Sequence, residues 1–174
     1  MEKLPEAVRE IIAPSVQALA ELSARITVLE REINELARTK YPQALWLQQV
    51  PGVGALTALY YVLKIEDPKR FKQVRDVGAY AGLCPRRDQS GGSDAQLCIS
   101  KCGDAYLRRL LVSAAQYILG PFGPKSALRE YGLMLAADGT ARAKKRAVVA
   151  VARKLCVLLL RLVEKPNSLP ALPR

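Results

Sequence analysis

A heptad repeat of leucine and isoleucine constrains the first 40 residues more than any other feature of the sequence. Six apolar residues recur at spacings of 3, 4, 3, 4 and 3, and Ile12 extends the pattern backwards: Leu19, Leu22, Ile26, Leu29, Ile33 and Leu36. This period of 3.5 residues predicts a helix with a coiled-coil seam. In a parallel dimer, Arg25 at position g would face Glu30 at position e of the partner. We therefore expect homo-oligomerisation through this segment; the alternatives are an amphipathic helix packed on its own domain or an antiparallel hairpin.

The remaining apolar patterns also have the helical period, so the sequence predicts a mainly α fold. Pro14 is expected to break or kink the first helix, and Tyr41-Pro42 to end it. Further helices are expected over 67–80, 105–119, 125–137 and 141–164. Residues 85–89 and 96–100 are candidates for one small β-hairpin. The predicted division is a coiled-coil dimerisation segment at 1–40, a compact helical domain at 41–165 and a flexible tail at 166–174.

The net charge of +11 is unevenly distributed along the chain. Residues 1–63 carry six basic and seven acidic side chains, whereas residues 64–174 carry 21 basic and nine acidic ones. Such an excess favours a polyanionic partner, of which nucleic acid is the commonest, although it also suits a surface charged for solubility. No signal peptide opens the chain, and its most apolar run, Cys156–Leu160, is too short to span a bilayer. We expect a cytoplasmic protein with no membrane partner.

The sequence contains no histidine and four cysteines, at positions 84, 98, 102 and 156. Without histidine, mechanisms that need an imidazole base are excluded, Ser-His-Asp hydrolysis among them. The cysteine spacings form no paired Cys-x-x-Cys arrangement, so no metal site is expected and buried free thiols are the preferred interpretation.

Two glycine-bearing turns are candidates for contact with phosphate. Between two apolar helical stretches, Pro51-Gly52-Val53-Gly54 predicts a helix-hairpin-helix in which Gly52 and Gly54 let the backbone approach a phosphate. A purely structural helical hairpin would have the same pattern. The second turn, with Gly103, precedes another helix. Basic side chains beside that turn and at the start of the last helix are expected to contact DNA: Lys101, Arg108, Arg109, Lys144, Lys145 and Arg146. For the cluster at the start of the last helix, a solvated helix face is the alternative.

A loop around Ser90 has the composition of a flexible turn, because two glycines follow the serine directly. Arg86 and Arg87 precede it in Arg86-Arg87-Asp88-Gln89-Ser90-Gly91-Gly92. The same features suit a nucleophile that a bulky substrate must approach closely.

Six blocks in a fixed order resemble one family: Val50-Pro51-Gly52-Val53-Gly54, Phe71, Ala79-Tyr80-Ala81-Gly82-Leu83-Cys84-Pro85, Gln89-Ser90-Gly91, Ile99-Ser100-Lys101-Cys102-Gly103 and Tyr106-Leu107-Arg108-Arg109. From residue 45 to residue 164 the chain resembles the C-terminal domain of the RNA-guided insertion-sequence transposases, which join a RuvC-like domain to a serine-bearing domain. The preceding coiled coil also fits the layout of that family.

The resemblance implies that Ser90 is the nucleophile, which attacks a DNA phosphodiester and holds the cut strand as a phosphoserine. The candidate electrostatic groups beside it are basic side chains: Arg86, Arg87, Lys101, Arg108 and Arg109. The RuvC-like domain of the family, with four metal-binding acids, does not match any part of this chain. No cofactor is therefore expected here; Mg²⁺ and a guide RNA would belong to the full-length enzyme. We expect a fragment or a truncated element that binds DNA and self-associates but does not complete transposition by itself.

Two other functions agree with parts of the sequence. A non-catalytic helix-hairpin-helix DNA-binding module would share the glycine turns and the basic charge but give Ser90 no role. An interaction protein built around the coiled coil would bind no DNA at moderate salt, whereas several phosphate contacts would give a steep dependence on salt.

Overall fold

The structure is a computed structural model that describes residues 5–86, 89–90, 93–94 and 97–164. Within these ranges seven α-helices follow one another: α1 (Glu6–Lys40), α2 (Pro42–Leu47), α3 (Ala55–Ile65), α4 (Val77–Tyr80), α5 (Ala105–Leu119), α6 (Ala127–Leu135) and α7 (Ala141–Glu164). The predicted mainly α fold is confirmed. None of the helices in the described ranges combines the length and the apolarity that a bilayer span requires.

The first helix is continuous through Pro14, so a break at this residue is wrong, whereas the alternative, a kink, stays a prediction. Proline removes one backbone donor and leaves the carbonyl four residues earlier without its helical partner. That carbonyl belongs to Glu10, which is exposed, so water can satisfy it without a break in the helix. Tyr41 ends the helix, as the Tyr-Pro pair predicts.

Only the last turns of α1 pack on the rest of the molecule. Ala37 is fully buried and Ile33 is half-buried, both against α2 and α3. Further towards the N-terminus the heptad stripe is exposed, with Leu19 at 63% and Leu29 at 55% of their accessible surface. The apolar stripe of α1 thus has two parts, one used by the body of the molecule and one without a partner among the described residues.

The body of the molecule is built around α7. This helix packs against α2, α4, α5 and α6, which explains why its apolar residues extend around much of its circumference. The side chains of Leu155 and Leu159 are fully buried. The hydroxyl of the buried Tyr61 on α3 donates to the Cys156 carbonyl at 2.7 Å, which satisfies it inside the core.

The helix predicted over residues 67–80 is wrong. Two 3-10 turns, Pro68–Arg70 and Val74–Asp76, precede the short α4. Asp67 caps the first turn by accepting from the Lys69 backbone N–H at 2.9 Å. Phe71 is then extended, and its ring packs edge-on against Tyr80 with 5.6 Å between the ring centroids. The packing of the Phe71 ring on Tyr80 outweighs the helical propensity of residues 67–80.

The predicted bounds of α5 and α7 are confirmed, whereas α6 is shorter at each end than the predicted 125–137. The side chain of Ser126 caps α6 by accepting from the Arg129 backbone N–H, which sets its first residue.

Two short strands, β1 (Gln89–Ser90) and β2 (Ser93–Asp94), pair antiparallel with Ser90 opposite Ser93. Further from the tip, Pro85 forms a bridge with Ile99, and the Arg86 backbone N–H donates to the Cys98 carbonyl at 3.0 Å. The pairing brings Cys98 to the surface, where Cys102 is also exposed. The prediction of buried thiols is therefore wrong for these two cysteines and right for Cys156, while Cys84 is half-buried.

Candidate functional site

Two glycine turns support the loop that contains Ser90, and they pack against each other. We call residues 80–82 and 101–103 the double turn. The Lys101 backbone N–H donates to the Gly82 carbonyl at 3.2 Å. Both glycines have positive φ, 68° at Gly82 and 110° at Gly103. A Cβ atom would overlap the Cys102 carbonyl oxygen at Gly82 and the Tyr80 carbonyl oxygen at Gly103. Only glycine fits at either position.

Arg108 holds the double turn from the side of α5. It is half-buried, and its Nη1 donates to the Ala81 carbonyl at 3.1 Å. A side chain predicted to contact phosphate thus makes a contact within the protein. Lys101 and Arg86, by contrast, are exposed, and Lys101 itself has a φ of 55°.

Asp104 joins the double turn to two helices. Its carboxylate caps α5 by accepting from the Leu107 backbone N–H at 2.7 Å. It also accepts from the Tyr60 hydroxyl at 3.0 Å and lies 3.1 Å from the Lys64 Nζ. The Leu107 hydrogen bond, assisted by Lys64 and Tyr60, lowers the pKa of Asp104 from 3.8 to about 2 although partial burial opposes this. The carboxylate is therefore ionised at neutral pH.

Tyrosine rings and arginine side chains lie on both sides of Asp104, one group towards α5 and the other towards α4. The rings of Tyr60 and Tyr106 meet edge-on with 4.8 Å between their centroids, and the Arg109 guanidinium lies 4.9 Å from the centre of the Tyr106 ring. On the other side, the Arg70 guanidinium lies 4.5 Å from the centre of the Tyr80 ring. We call this group the tyrosine–arginine surface; its members are Tyr60, Tyr80, Tyr106, Arg70 and Arg109.

Tyr80 and Tyr106 stand in the blocks that resemble the family, but Arg109 alone of this surface was predicted to contact DNA. Two local signals were available: Asp104 stands where an N-cap is expected before the apolar residues of α5, and Tyr106 and Arg109 are three residues apart on one helix face. The pairing of Tyr60 with Asp104 joins residues 44 positions apart, which no local pattern indicates.

The predicted nucleophile, Ser90, lies in β1, between the two halves of the double turn along the chain. Its backbone position opposite Ser93 is described, whereas its side chain and all of Arg87 lie outside the described part of the structure. The double turn thus fixes where the loop leaves and re-enters the body of the molecule.

The other glycine turn, between α2 and α3, has a different environment. Gly52 has a φ of 81°, and a Cβ atom there would lie 2.9 Å from the Ala114 carbonyl oxygen and 3.1 Å from the Tyr117 ring. Gly52 therefore allows the turn to pack on α5. Gly54 is exposed, has open space beside it, and precedes α3 without a side-chain cap. An open groove of about 500 Å³ lies between this turn and α5.

The structure does not bring all predicted contact residues together. The 48–54 turn meets α5 near Tyr117, while the double turn lies near Asp104, roughly 20 Å away along α5 at 1.5 Å per residue. Lys144, Lys145 and Arg146 are exposed in the first turns of α7. The segment before the double turn reaches α7 at Arg153, which lies beside Gly78 and roughly 10 Å along the helix from Arg146.

Residues 44–131 match the family described as Transposase IS116/IS110/IS902. The matched range includes the α2–α3 turn, the double turn and the loop with Ser90.

Three curated relatives show the extent of the similarity. A transposase for insertion sequence element IS1328 of Yersinia enterocolitica is 37% identical over 115 residues, which are 66% of this chain and 34% of that protein. A transposase for insertion sequence element IS1111A of Coxiella burnetii is 35% identical over 122 residues, 70% of this chain and 33% of that protein. A pilin gene-inverting protein of Moraxella bovis is 30% identical over 140 residues, 78% of this chain and 42% of that protein. The chain thus spans about a third of the length of the two transposases.

Proposed function

Because the chain belongs to the IS116/IS110/IS902 transposase family, we propose that it is the DNA-binding and serine-nucleophile part of a transposase. The observation that carries this proposal is the double turn. It anchors the loop that contains Ser90, with the exposed cations Arg86 and Lys101 at its two ends, inside the range that matches the family.

We assign phosphate contacts to three groups of residues. We call residues 83–100, which contain Ser90, the serine loop. Next to it Lys101 and Arg109 are exposed, as is Arg86 near its start. The uncapped start of α3 presents free backbone N–H groups behind Gly54, which suit a phosphate oxygen. The third group is the basic cluster of α7, Lys144 to Arg146. These groups contact the DNA backbone and position the protein without reading the sequence of the bases.

In the proposed reaction, the Ser90 Oγ attacks the phosphorus of a DNA phosphodiester. A new O–P bond forms to serine, and the bond from phosphorus to the departing sugar oxygen breaks. The serine hydroxyl loses its proton, and the departing oxygen gains one. The product is still a phosphodiester, so attack by a sugar hydroxyl reverses the step and rejoins a strand without an external energy source. Exposed cations beside the loop stabilise the charge that develops on the phosphoryl oxygens.

The Mg²⁺ that the resemblance implies would be held by the acids of the family's RuvC-like domain, whereas the residues of this chain would supply the serine and the cations. In the described part of the chain, no three Cys, Asp or Glu side chains come together as ligands of a metal ion. Asp104 is already used by Leu107, Tyr60 and Lys64. We assign the metal and the guide RNA to other parts of a full-length enzyme.

We further infer that the exposed part of the α1 stripe forms a parallel dimer. Leu22 and Leu29 are each 55% exposed at successive d positions, an arrangement typical of a coiled coil without its partner. Changing both to lysine should convert the dimer to a monomer in sedimentation equilibrium. The matched control, Glu21→Lys with Glu35→Lys, changes charge at two exposed c positions away from the seam and should leave a dimer. A wild-type chain that is monomeric at high concentration would contradict this inference.

The covalent step is tested with DNA that traps the intermediate. A duplex pool with one bridging phosphorothiolate in a randomised segment releases a thiol that does not re-attack, so a covalent protein–DNA adduct accumulates. We expect an adduct on denaturing gels with either the 3′- or the 5′-bridging substrate, and none with Ser90→Ala. Ser93→Ala is the matched control, since Ser93 pairs with Ser90 in the hairpin, and it should retain the adduct. Adduct formation by Ser90→Ala would contradict the proposed function.

A further inference from the structure

We propose that the tyrosine–arginine surface binds an unpaired stretch of DNA and holds bases that have left the duplex beside the serine loop. This inference rests on the proposed function, because it takes DNA to be the substrate. The new element is the form of DNA that the surface recognises. Its partner is thus a single strand with exposed base faces.

The surface is continuous. From Arg109 the contacts run to Tyr106 and then to Tyr60, whose hydroxyl donates to Asp104. Asp104 binds Lys64, and the Tyr80 hydroxyl lies 3.4 Å from the Lys64 carbonyl oxygen. The Tyr80 ring in turn lies beside Arg70. Side chains from α3, α4, α5 and the 68–70 turn thus form one surface.

Its chemistry matches that of a nucleobase together with its phosphate. Tyr60, Tyr80 and Tyr106 are half-buried, so each ring is held by the fold yet reaches solvent. Arg70 and Arg109 are exposed, and no carboxylate of the described residues lies within ion-pair distance of them. Aromatic rings and guanidinium planes both stack on unpaired bases, and the guanidinium charge also attracts the phosphates.

A DNA duplex would leave most of this surface unused. In a duplex the faces of the bases are covered by their neighbours, and a protein meets only phosphates, sugars and groove edges. Lysines such as Lys144 and Lys145 at the start of α7 suit those groups, because an ammonium supplies charge without a flat face. The concentration of rings beside the serine loop, where a strand is to be cut, therefore favours a strand that is already unstacked.

Asp104 explains why the surface has a fixed shape. Its carboxylate accepts hydrogen bonds from the Leu107 backbone N–H and the Tyr60 hydroxyl and pairs with Lys64, so its charge is compensated within the protein. The double turn packs on the same surface, because Gly103 lies directly against the Tyr80 carbonyl. Bases bound here would lie next to both ends of the serine loop.

The experiment compares the binding of four oligonucleotides to the 174-residue chain by fluorescence anisotropy. These are a mixed-sequence DNA strand, the same strand with 2-aminopurine, the corresponding duplex, and an RNA strand of that sequence. Tyr106→Leu should weaken binding of single-stranded DNA about tenfold, the typical loss of one stacking contact. Its effect on duplex affinity should stay within about twofold. Since tyrosine is uncharged, the slope of log K against log salt should not change. The 2-aminopurine fluorescence should fall on binding to the wild type, because stacking quenches it.

The matched control is Tyr131→Leu. Tyr131 is also a half-buried ring with a cation over it, Lys154 Nζ at 3.5 Å from its centre, but it lies on α6 away from the double turn. It should leave binding of all four oligonucleotides unchanged. Should Tyr106→Leu fail to fold by circular dichroism, Arg109→Lys tests the same point. It keeps the charge and loses the planar group, so single-strand affinity should fall about threefold at an unchanged salt slope.

Equal losses for duplex and single strand in Tyr106→Leu would overturn the proposal, and so would unchanged affinity for both. A loss confined to the RNA strand would also overturn it, since the surface would then serve RNA. These results are separable from the proposed function. Ser90→Ala should keep full affinity for the single strand while it loses the covalent adduct, and the adduct can form whether or not Tyr106 stacks on a base.

Discussion

The α3–α5 pair carries a glycine turn at each end, and the two turns differ in almost everything except their glycines. The 48–54 turn lies in a stretch, 41–63, without a single charged residue. The double turn lies among Lys64, Lys101, Asp104 and Arg109. In the 48–54 turn, Gly52 allows close packing on α5. In the double turn, Gly82 and Gly103 allow residues 80–82 and 101–103 to pack directly against each other at the ends of the serine loop.

Because the two turns share glycines but differ in their surroundings, a glycine pattern fixes backbone geometry without by itself identifying a phosphate site. Both turns agree with phosphate contact at the level of sequence. Only the surroundings distinguish them, because charge and aromatic rings accumulate at one end of the pair. We expect the 48–54 turn to contact phosphate mainly through the uncapped N-terminus of α3. We expect the double turn to hold the two ends of the serine loop in place.

The largest expected effect follows from substitution in the double turn. Gly82→Ala should lower the free energy of unfolding by about 3 kcal/mol, measured by urea denaturation. About 1–2 kcal/mol comes from a side chain at positive φ, and the remainder from overlap with the Cys102 carbonyl oxygen.

Two matched substitutions in the other turn calibrate this value. Gly52→Ala should cost about 2 kcal/mol, because the nearest backbone oxygen lies 2.9 Å away rather than in overlap. Gly54→Ala should stay within about 0.5 kcal/mol, since its φ is −81° and the space beside it is open. An order in which Gly54→Ala is the most damaging of the three would contradict the packing described for both turns.

A smaller effect is expected at Asp104 and depends on pH. The folded-state pKa of about 2 lies below the ordinary 3.8, so this carboxylate stabilises the fold above pH 4, and that contribution is lost as the pH falls from about 4 to 2. Asp104→Asn should therefore lower the free energy of unfolding by about 1–2 kcal/mol at pH 7. The difference from the wild type should nearly vanish at pH 2.

Urea titrations at several pH values measure this difference directly. Asn is a good N-cap, so the variant removes the charge and largely keeps the cap. Glu66→Gln is a suitable control, because Glu66 is an exposed acid at the end of α3. A difference between Asp104→Asn and wild type that is constant from pH 7 to pH 2 would show that the ionised form is not what stabilises the turn.

The fold could be predicted where local chemistry decides it. Asp104 caps α5, Gly120 follows its last residue, and the bounds from sequence agree with the structure. The prediction of a break failed at Pro14, where the helix continues with the Glu10 residue exposed to solvent, and the predicted helix failed at Phe71, whose ring packs on Tyr80. Both failures involve an interaction that lies outside the local window of sequence.

For the candidate site, the sequence predicted several residues that belong to it but not which residues they contact in the folded protein. The order of motifs selected Ser90 and the cations near it, and the family match covers the same range. The partners of those residues come from tertiary packing. Arg108 holds the Ala81 carbonyl 27 positions away, and Tyr60 reaches Asp104 across 44 positions. No periodicity or composition could have indicated that Arg108 on α5 donates a hydrogen bond to the backbone of the double turn.

The proposed role of Ser90 as the nucleophile can be tested by locating the DNA linkage within the protein. Trypsin should release residues 88–101, since Arg87 and Lys101 bound this peptide, and it contains three serines at positions 90, 93 and 100. After trapping with the bridging phosphorothiolate and digestion with nuclease, tandem mass spectrometry assigns the phosphate to one of them. We predict phosphate on Ser90 alone. Phosphate on Ser93 or Ser100, or a trapped adduct outside this peptide, would contradict the claim.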